Sequence, residues 1–188
     1  MPARPILGLC FTILIVAIAA PARAELRISS LSVYLNDQDV TVQLTVLDAI
    51  PASFTESIRS GLPSHVRFTV ELWQHRRMWL DRLLQTRMIE RQLLYSVLTK
   101  EFKVASLAGE TREPYVSREL RDAQRVLSEL RGLKLMPAAQ LDQSELFYVR
   151  VRAEAALSGQ NTFLTRLSGA AEETPWMDSS LLTVSRVQ

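Results

Sequence analysis

The chain has 188 residues, with 22 basic and 20 acidic side chains, a formal net charge of +2, two histidines and one cysteine. Two of the basic residues, Arg4 and Arg23, fall within the first 24 positions, which hold no acid, so the remainder is neutral. A neutral domain lacks the basic field that nucleic-acid binding uses, and with Cys10 as the only thiol there is no disulfide framework and no thiolate metal site.

The N-terminus has the order of a secretory leader. Arg4 supplies a positive start, Ile6 to Ala20 run without charge, and Ala22-Arg23-Ala24 puts small residues at the −3 and −1 positions of a cut before Glu25. At 1.5 Å per residue the apolar run reaches about 22 Å, short of the roughly 30 Å hydrocarbon core. Cys10 lies in the middle of the run and not at its end, unlike a lipid-accepting cysteine. The expectation is a cleaved signal peptide at 1–24, no permanent anchor, and a single domain at 25–188 in the periplasm or beyond.

After the leader, glycine and proline fall only between periodic segments, which speaks for one domain without linkers. Leu31, Val33 and Leu35 alternate with polar neighbours, Asn36-Asp37-Gln38-Asp39 offers a turn, and Val40, Val42, Leu44 and Val46 resume the alternation, which predicts a hairpin with one buried face. Pro51, Phe54 and Ile58, closed by Gly61, predict a short helix. From Val66 the period is two again: Val66, Phe68, Val70 and Leu72 face one way, Arg67, Thr69, Glu71 and Trp73 the other. Between Leu80 and Leu98, residues Leu80, Leu83, Leu84, Met88, Leu94, Tyr95 and Leu98 fit a helical stripe, whereas Ile89, Leu93, Tyr95 and Val97 fit a strand, and periodicity alone does not choose.

Ser117 is placed to cap a helix whose Leu120, Ala123, Leu127 and Leu130 share a face and which Gly132 ends. Phe147, Val149, Val151, Ala153, Ala155 and Leu157 then alternate with Tyr148, Arg150, Arg152 and Glu154 as a long half-buried strand. A last strand is expected within 181–187. The fold class is mainly β (α+β), an antiparallel β-sandwich-like domain with one long and one short helix.

Gly61-Leu62-Pro63, then Arg76-Arg77-Met78-Trp79 with Asp81, then Leu94-Tyr95-Ser96-Val97-Leu98-Thr99-Lys100-Glu101-Phe102-Lys103-Val104, and finally Phe147 to Arg152, form a series of motifs. In this series the chain resembles the DUF4390 family of uncharacterised exported bacterial proteins, from about Leu26 to Leu157. It departs where the family often has a Leu-Pro pair after the late strand and this chain has Leu157-Ser158-Gly159. The resemblance implies a β-rich domain with the 80–98 stretch in strands, and no known activity. It also implies a gene neighbourhood with a nitrogen-regulation-type sensor kinase.

The chemistry in the sequence is sparse. His65 and His75 share parity on one strand, and ten residues at about 3.3 Å each separate them by some 33 Å, too far to hold one ion. Asp37 and Asp39 flank a turn without the glycine and distal glutamate of a calcium loop. No G-x-S-x-G, S-x-x-K or H-E-x-x-H motif occurs; His75, Asp81 and Ser96 are the best triad that can be nominated. Glu172-Glu173 sits in a Gly/Ala-rich stretch that reads as solvated loop.

No catalytic, metal or cofactor residue is therefore assigned, and no cofactor is expected. Trp73, His75, Arg77 and Trp79 share parity, and Arg87 and Arg91 are expected opposite them once the chain turns back. Arginine interleaved with tryptophan is the composition that protein interfaces favour, so these six residues form the candidate partner-binding face. The bland alternative has Trp73 and Trp79 packed under the Ser117 helix, with the arginines paired to Glu71, Asp81 and Glu90. The functional expectation is an exported, non-enzymatic binding or accessory module for an envelope protein, with a membrane sensor kinase's outer domain as one candidate. A carrier of a small apolar or lipid ligand between sheets is the alternative, and a hydrolase the third.

Overall fold

The computed structural model describes residues 25–157 and 171–184. The expected leader, with Ala22 and Ala24 of its expected cut, lies outside the described residues, as do positions 185–187 of the last expected strand.

Strand β1 (Arg27–Asn36) and strand β2 (Asp39–Leu47) form the expected hairpin, with Asn36 opposite Asp39. Asp37 and Gln38 both take positive φ, 49° and 66°, as a two-residue turn of type I′ requires. The chain then makes a 3-10 turn at Ala52–Phe54 and helix α1 (Thr55–Arg59), which bury Phe54 and Ile58. Gly61, at φ 97°, ends this helix: its N–H bonds the Ile58 carbonyl at 2.9 Å while the Leu62 N–H bonds the Ser57 carbonyl at 3.0 Å. This is the paired closure that a left-handed residue after a helix permits.

Four strands follow in order: β3 (Ser64–His75), β4 (Arg82–Ser96), β5 (Glu101–Ala108) and β6 (Tyr115–Ser117), each antiparallel to the one before. The ambiguous stretch is thus a strand of 15 residues, as the family resemblance implied. It is paired on both sides, by β3 and β5, and these ladders override the helical spacing of its leucines. Leu80 and Leu98 are not part of the strand.

Helix α2 (Leu120–Ser128) buries Ala123 and Leu127 as expected, but its ends differ from the expectation. Ser117 belongs to β6, and its hydroxyl accepts the Glu119 N–H at 3.0 Å. Leu130 and Gly132 belong to strand β7 (Glu129–Pro137), which the sequence reading missed. Val42 pairs with Leu133 and Leu44 with Leu130, so the extra residue on β7 makes a bulge, and Gly132, at φ 66°, lies in it. The bulge breaks the alternation that would have announced the strand.

Strand β8 (Leu146–Leu157) lies on the other side of β3. Its free edge is taken by β9 (Ala171–Glu173) and β10 (Met177–Asp178). Glu172 and Glu173 are therefore in a strand and not in a solvated loop. Of the last expected strand, Leu182 makes an isolated bridge to Phe147.

The result is two antiparallel sheets, β1-β2-β7 and β10-β8-β3-β4-β5-β6, with β9 beside β10 on the β8 edge. Val40, Val42, Leu44 and Val46 from the small sheet join Val66, Phe68, Val70, Leu72, Ile89, Leu93, Val149 and Val151 from the large one in a continuous buried cluster. Phe54 and Ile58 of the first helical segment and Ala123 and Leu127 of α2 complete it. Burying a side chain of the size of Phe68 contributes about 1.5–3 kcal/mol. Among the described residues no helix is long and apolar enough to cross a membrane.

Candidate functional site

The alternation of β3 gives the large sheet an outer face. Trp73 stands opposite Tyr148 in the β3–β8 ladder, and the two rings stack with centroids 6.4 Å apart. The Arg150 guanidinium lies over both, 5.5 Å from the Trp73 ring and 5.7 Å from the Tyr148 ring. The Trp73 indole N–H donates to Glu71 at 2.8 Å, and Arg150 forks onto Asp178 at 2.8 and 3.0 Å. Further along, Arg67 donates to Glu90 at 3.0 Å and lies 3.7 Å from Glu154, while Arg152 reaches Glu154 at 3.1 Å and also Glu173. His65 Nδ1 stands 3.3 Å from Glu90. These arginines already have carboxylate partners, so this part of the face is electrostatically closed.

The loop that joins β3 to β4 is different. Arg76 and Arg77 leave the strand, Met78, Trp79 and Leu80 follow, and Asp81 and Arg82 lead into β4. The three apolar side chains are 87%, 81% and 91% exposed. Asp81 fixes the loop that carries them. Its carboxylate accepts the Arg76 N–H at 2.9 Å, which closes the loop on itself, and the Tyr148 hydroxyl at 3.0 Å, which ties it to β8. His75 Nδ1 stands 3.2 Å from the same carboxylate.

The Arg76 N–H is the main reason that Asp81 stays below the usual carboxylate range; burial works against this, and the Tyr148 hydroxyl and His75 reinforce it. Burial, and then the bond to Asp81, push the Tyr148 phenol up. Beside the loop, His75, Arg76, Arg77, Met78 and Trp79 face Ser144 and Glu145 across an open cleft of about 860 Å³.

Of the six residues nominated from sequence, Trp73, His75, Arg77 and Trp79 do follow one another toward this tip. Arg77 and Trp79 lie beyond the end of β3, in the loop. Arg87 and Arg91 do not join them. Arg87 pairs with Val70 and Arg91 with Val66, both residues of the inner face, so the two arginines lie on the opposite side of the sheet from Trp73. Arg87 is exposed there, but Arg91 is only 2% exposed. Its guanidinium forks onto Glu110 at 2.5 and 2.9 Å, bonds the Val126 and Glu129 carbonyls at 2.8 and 2.7 Å, and covers the Phe68 ring at 5.7 Å. Arg91 is a core tie between β4, the 110 turn and the end of α2, and it offers nothing to a partner.

The bland alternative fails for the tryptophans: Trp73 stacks on Tyr148 and Trp79 is exposed, whereas α2 packs on β2, β4, β5 and β6. It fails for the charges as well: Glu71 takes the Trp73 indole, Glu90 takes Arg67, Asp81 takes the Arg76 N–H, Tyr148 and His75, and Arg91 pairs with Glu110. Of the nominated triad, His75 and Asp81 meet, but Ser96 ends β4 at the far end of the sheet, near Ser64. Sequence reading missed Met78, Leu80, Arg76, Arg82 and the Asp81–Tyr148 tie. The signal was present: three consecutive apolar residues between Arg77 and Asp81 break the alternation where a turn is needed.

Fold and site together define a mostly β, antiparallel two-sheet protein that presents an anchored apolar loop at one end of its larger sheet. The chain belongs to the family described as Domain of unknown function (DUF4390), which matches residues 23–160. No curated protein and no solved structure matches it.

Proposed function

We propose that the protein is an exported, non-enzymatic accessory module of the cell envelope, and that the β3–β4 loop is the part that docks on its partner. One observation carries the reading: Met78, Trp79 and Leu80 are held out in solvent by a loop that Asp81 braces from three directions. Exposing three large apolar side chains in a row is unfavourable for an isolated protein, and bracing them removes the entropy that a floppy loop would lose on docking. Export rests on the order of the leader, and the absence of an enzymatic role on the lack of a catalytic motif. The carrier alternative has less support, because the two inner faces meet in a continuous packed cluster.

The partner is a component of the envelope. A membrane protein such as a sensor kinase's outer domain would take Trp79 as a buried anchor with arginine at its rim. The test is retention by whole envelope, lipid and protein together. The parent chain should be retained and Trp79→Ala released, with both equally folded by circular dichroism; equal retention of the two would discard the loop as the docking element.

A further inference from the structure

The side chains around the tip say what kind of surface it fits. Arg76, Arg77 and Arg82 are exposed, and among the described residues none of their guanidinium groups has a carboxylate partner. That sets them apart from Arg67, Arg150 and Arg152 on the adjoining face, each of which is neutralised by Glu90, Glu154, Glu173 or Asp178. Three acids stand near the tip, and among the described residues none is in an ion pair with these guanidinium groups. Asp81 is committed to the Arg76 N–H, Tyr148 and His75, Glu145 stands across the cleft from Arg76 and Arg77, and Asp142, which lines a cleft with Arg82, accepts from Ser144. The tip is thus an apolar point of Met, Trp and Leu flanked in the chain by three exposed arginines, Arg76 and Arg77 before it and Arg82 after it, that have no carboxylate partner among the described residues.

Resting on the docking role proposed for this loop, we infer that its partner is the surface of an anionic phospholipid bilayer, into which Met78, Trp79 and Leu80 insert while Arg76, Arg77 and Arg82 meet the headgroup phosphates. Tryptophan prefers the level of the headgroups, where the ring is apolar and its N–H stays wet. Arginine binds phosphate in a planar fork and keeps its charge at any working pH. A specific protein interface needs roughly 800 Å² per partner, much more than three side chains at the end of a hairpin provide. Extending the footprint onto the sheet would meet charges that are already paired. A bilayer needs neither area nor shape complementarity, only a protruding apolar point and positive charge around it.

Trp79 is itself the reporter. In a chain carrying Trp73→Phe and Trp176→Phe, the only tryptophan left is at the tip. Vesicles of equal parts phosphatidylcholine and phosphatidylglycerol should shift its emission to the blue, and brominated lipid should quench it. Vesicles of phosphatidylcholine alone should do neither. Changing Arg76, Arg77 and Arg82 to Gln should lower the apparent affinity roughly a hundredfold, at about a factor of five for each basic residue, and salt should weaken it in the parent.

Should the double Phe change disturb the fold, the difference in emission between the parent and Trp79→Phe gives the same reading. Emission that ignores anionic vesicles overturns the inference. If Trp79-dependent retention by envelope persists alongside that result, the partner is a protein and the docking role stands; if retention is also independent of Trp79, both readings fall. Binding that is equal on neutral and anionic vesicles overturns the role of the three arginines.

Discussion

The Asp81 carboxylate and the Tyr148 hydroxyl, 67 residues apart in the chain, meet at 3.0 Å and join the β3–β4 loop to strand β8. Without this bond the loop would be an ordinary hairpin end, closed by Asp81 only onto its own Arg76 N–H and the neighbouring His75. With it, the exposed tip inherits the position of β8, the long strand on the far side of β3 in the larger sheet.

Asp81→Asn keeps the size of the side chain but removes the charge that Arg76, Tyr148 and His75 share. The expected outcome is a folded protein whose Met78–Leu80 amides exchange faster with solvent and whose docking weakens, with little change in the melting temperature. Hydrogen exchange resolved by residue checks it; unchanged protection at the tip would show that Asp81 does not brace the loop.

The same tie sets a pH dependence. Asp81 is held below its ordinary value, so what it contributes is fully present above the pKa of a free aspartate, about 3.9, and is lost as pH falls through its lowered folded value. Tyr148 is held above the ordinary phenol value, so its share is present below about 10 and is lost as pH rises through its raised folded value. Tip protection should therefore fall both below the acid limit and above the alkaline one. In Asp81→Asn the acid limb should vanish, and in Tyr148→Phe the alkaline one.

Arg91→Ala should be among the most damaging single changes. It leaves Glu110 without its fork and the Val126 and Glu129 carbonyls without donors, next to a ring that loses its cover. Breaking a buried pair from one side costs about 3–5 kcal/mol. Arg91→Lys should recover only part of this, because an ammonium cannot fork onto Glu110 and bond both carbonyls. Denaturant unfolding measures it, and a loss under about 1 kcal/mol would contradict the role.

Gly109→Ala is expected to destabilise by about 2 kcal/mol or more. Gly109 takes φ 82°, and a Cβ there would stand 2.0 Å from the Met88 carbonyl oxygen of the neighbouring strand. The backbone of β4 cannot step aside without loosening the ladder to β3. The comparison is Trp79→Ala, which removes a far larger side chain and should change stability by no more than about 0.5 kcal/mol, since Trp79 is 81% exposed.

The alternation of residues 66–72 specified by itself that β3 is a strand with Val66, Phe68, Val70 and Leu72 inward, because the pleat sends successive side chains to opposite faces and water selects which set is buried. The β1–β2 hairpin, the short helix closed by Gly61, the burial of Ala123 and Leu127 and the strand from Phe147 follow from the same local rules. So did the nomination of Trp73, His75, Arg77 and Trp79, which depends only on parity along one segment.

Wherever two segments had to choose each other, only the tertiary structure decided. The register that sets Val66 against Arg91 turned a nominated surface arginine into a core tie, since one residue of slip in a strand exchanges its faces. Pairing with β3 and β5 made Arg82–Ser96 a strand against its leucine spacing, and pairing with β2 made one of Glu129–Pro137 across a bulge. The exposed tip was decided in the same way: Met78, Trp79 and Leu80 look like core residues in sequence, and they stand in solvent because β3 and β4 pair on one side of them and Tyr148 holds Asp81 on the other. Local patterning says which residues share a face, but the partner that covers a face, or leaves it bare, is a long-range choice.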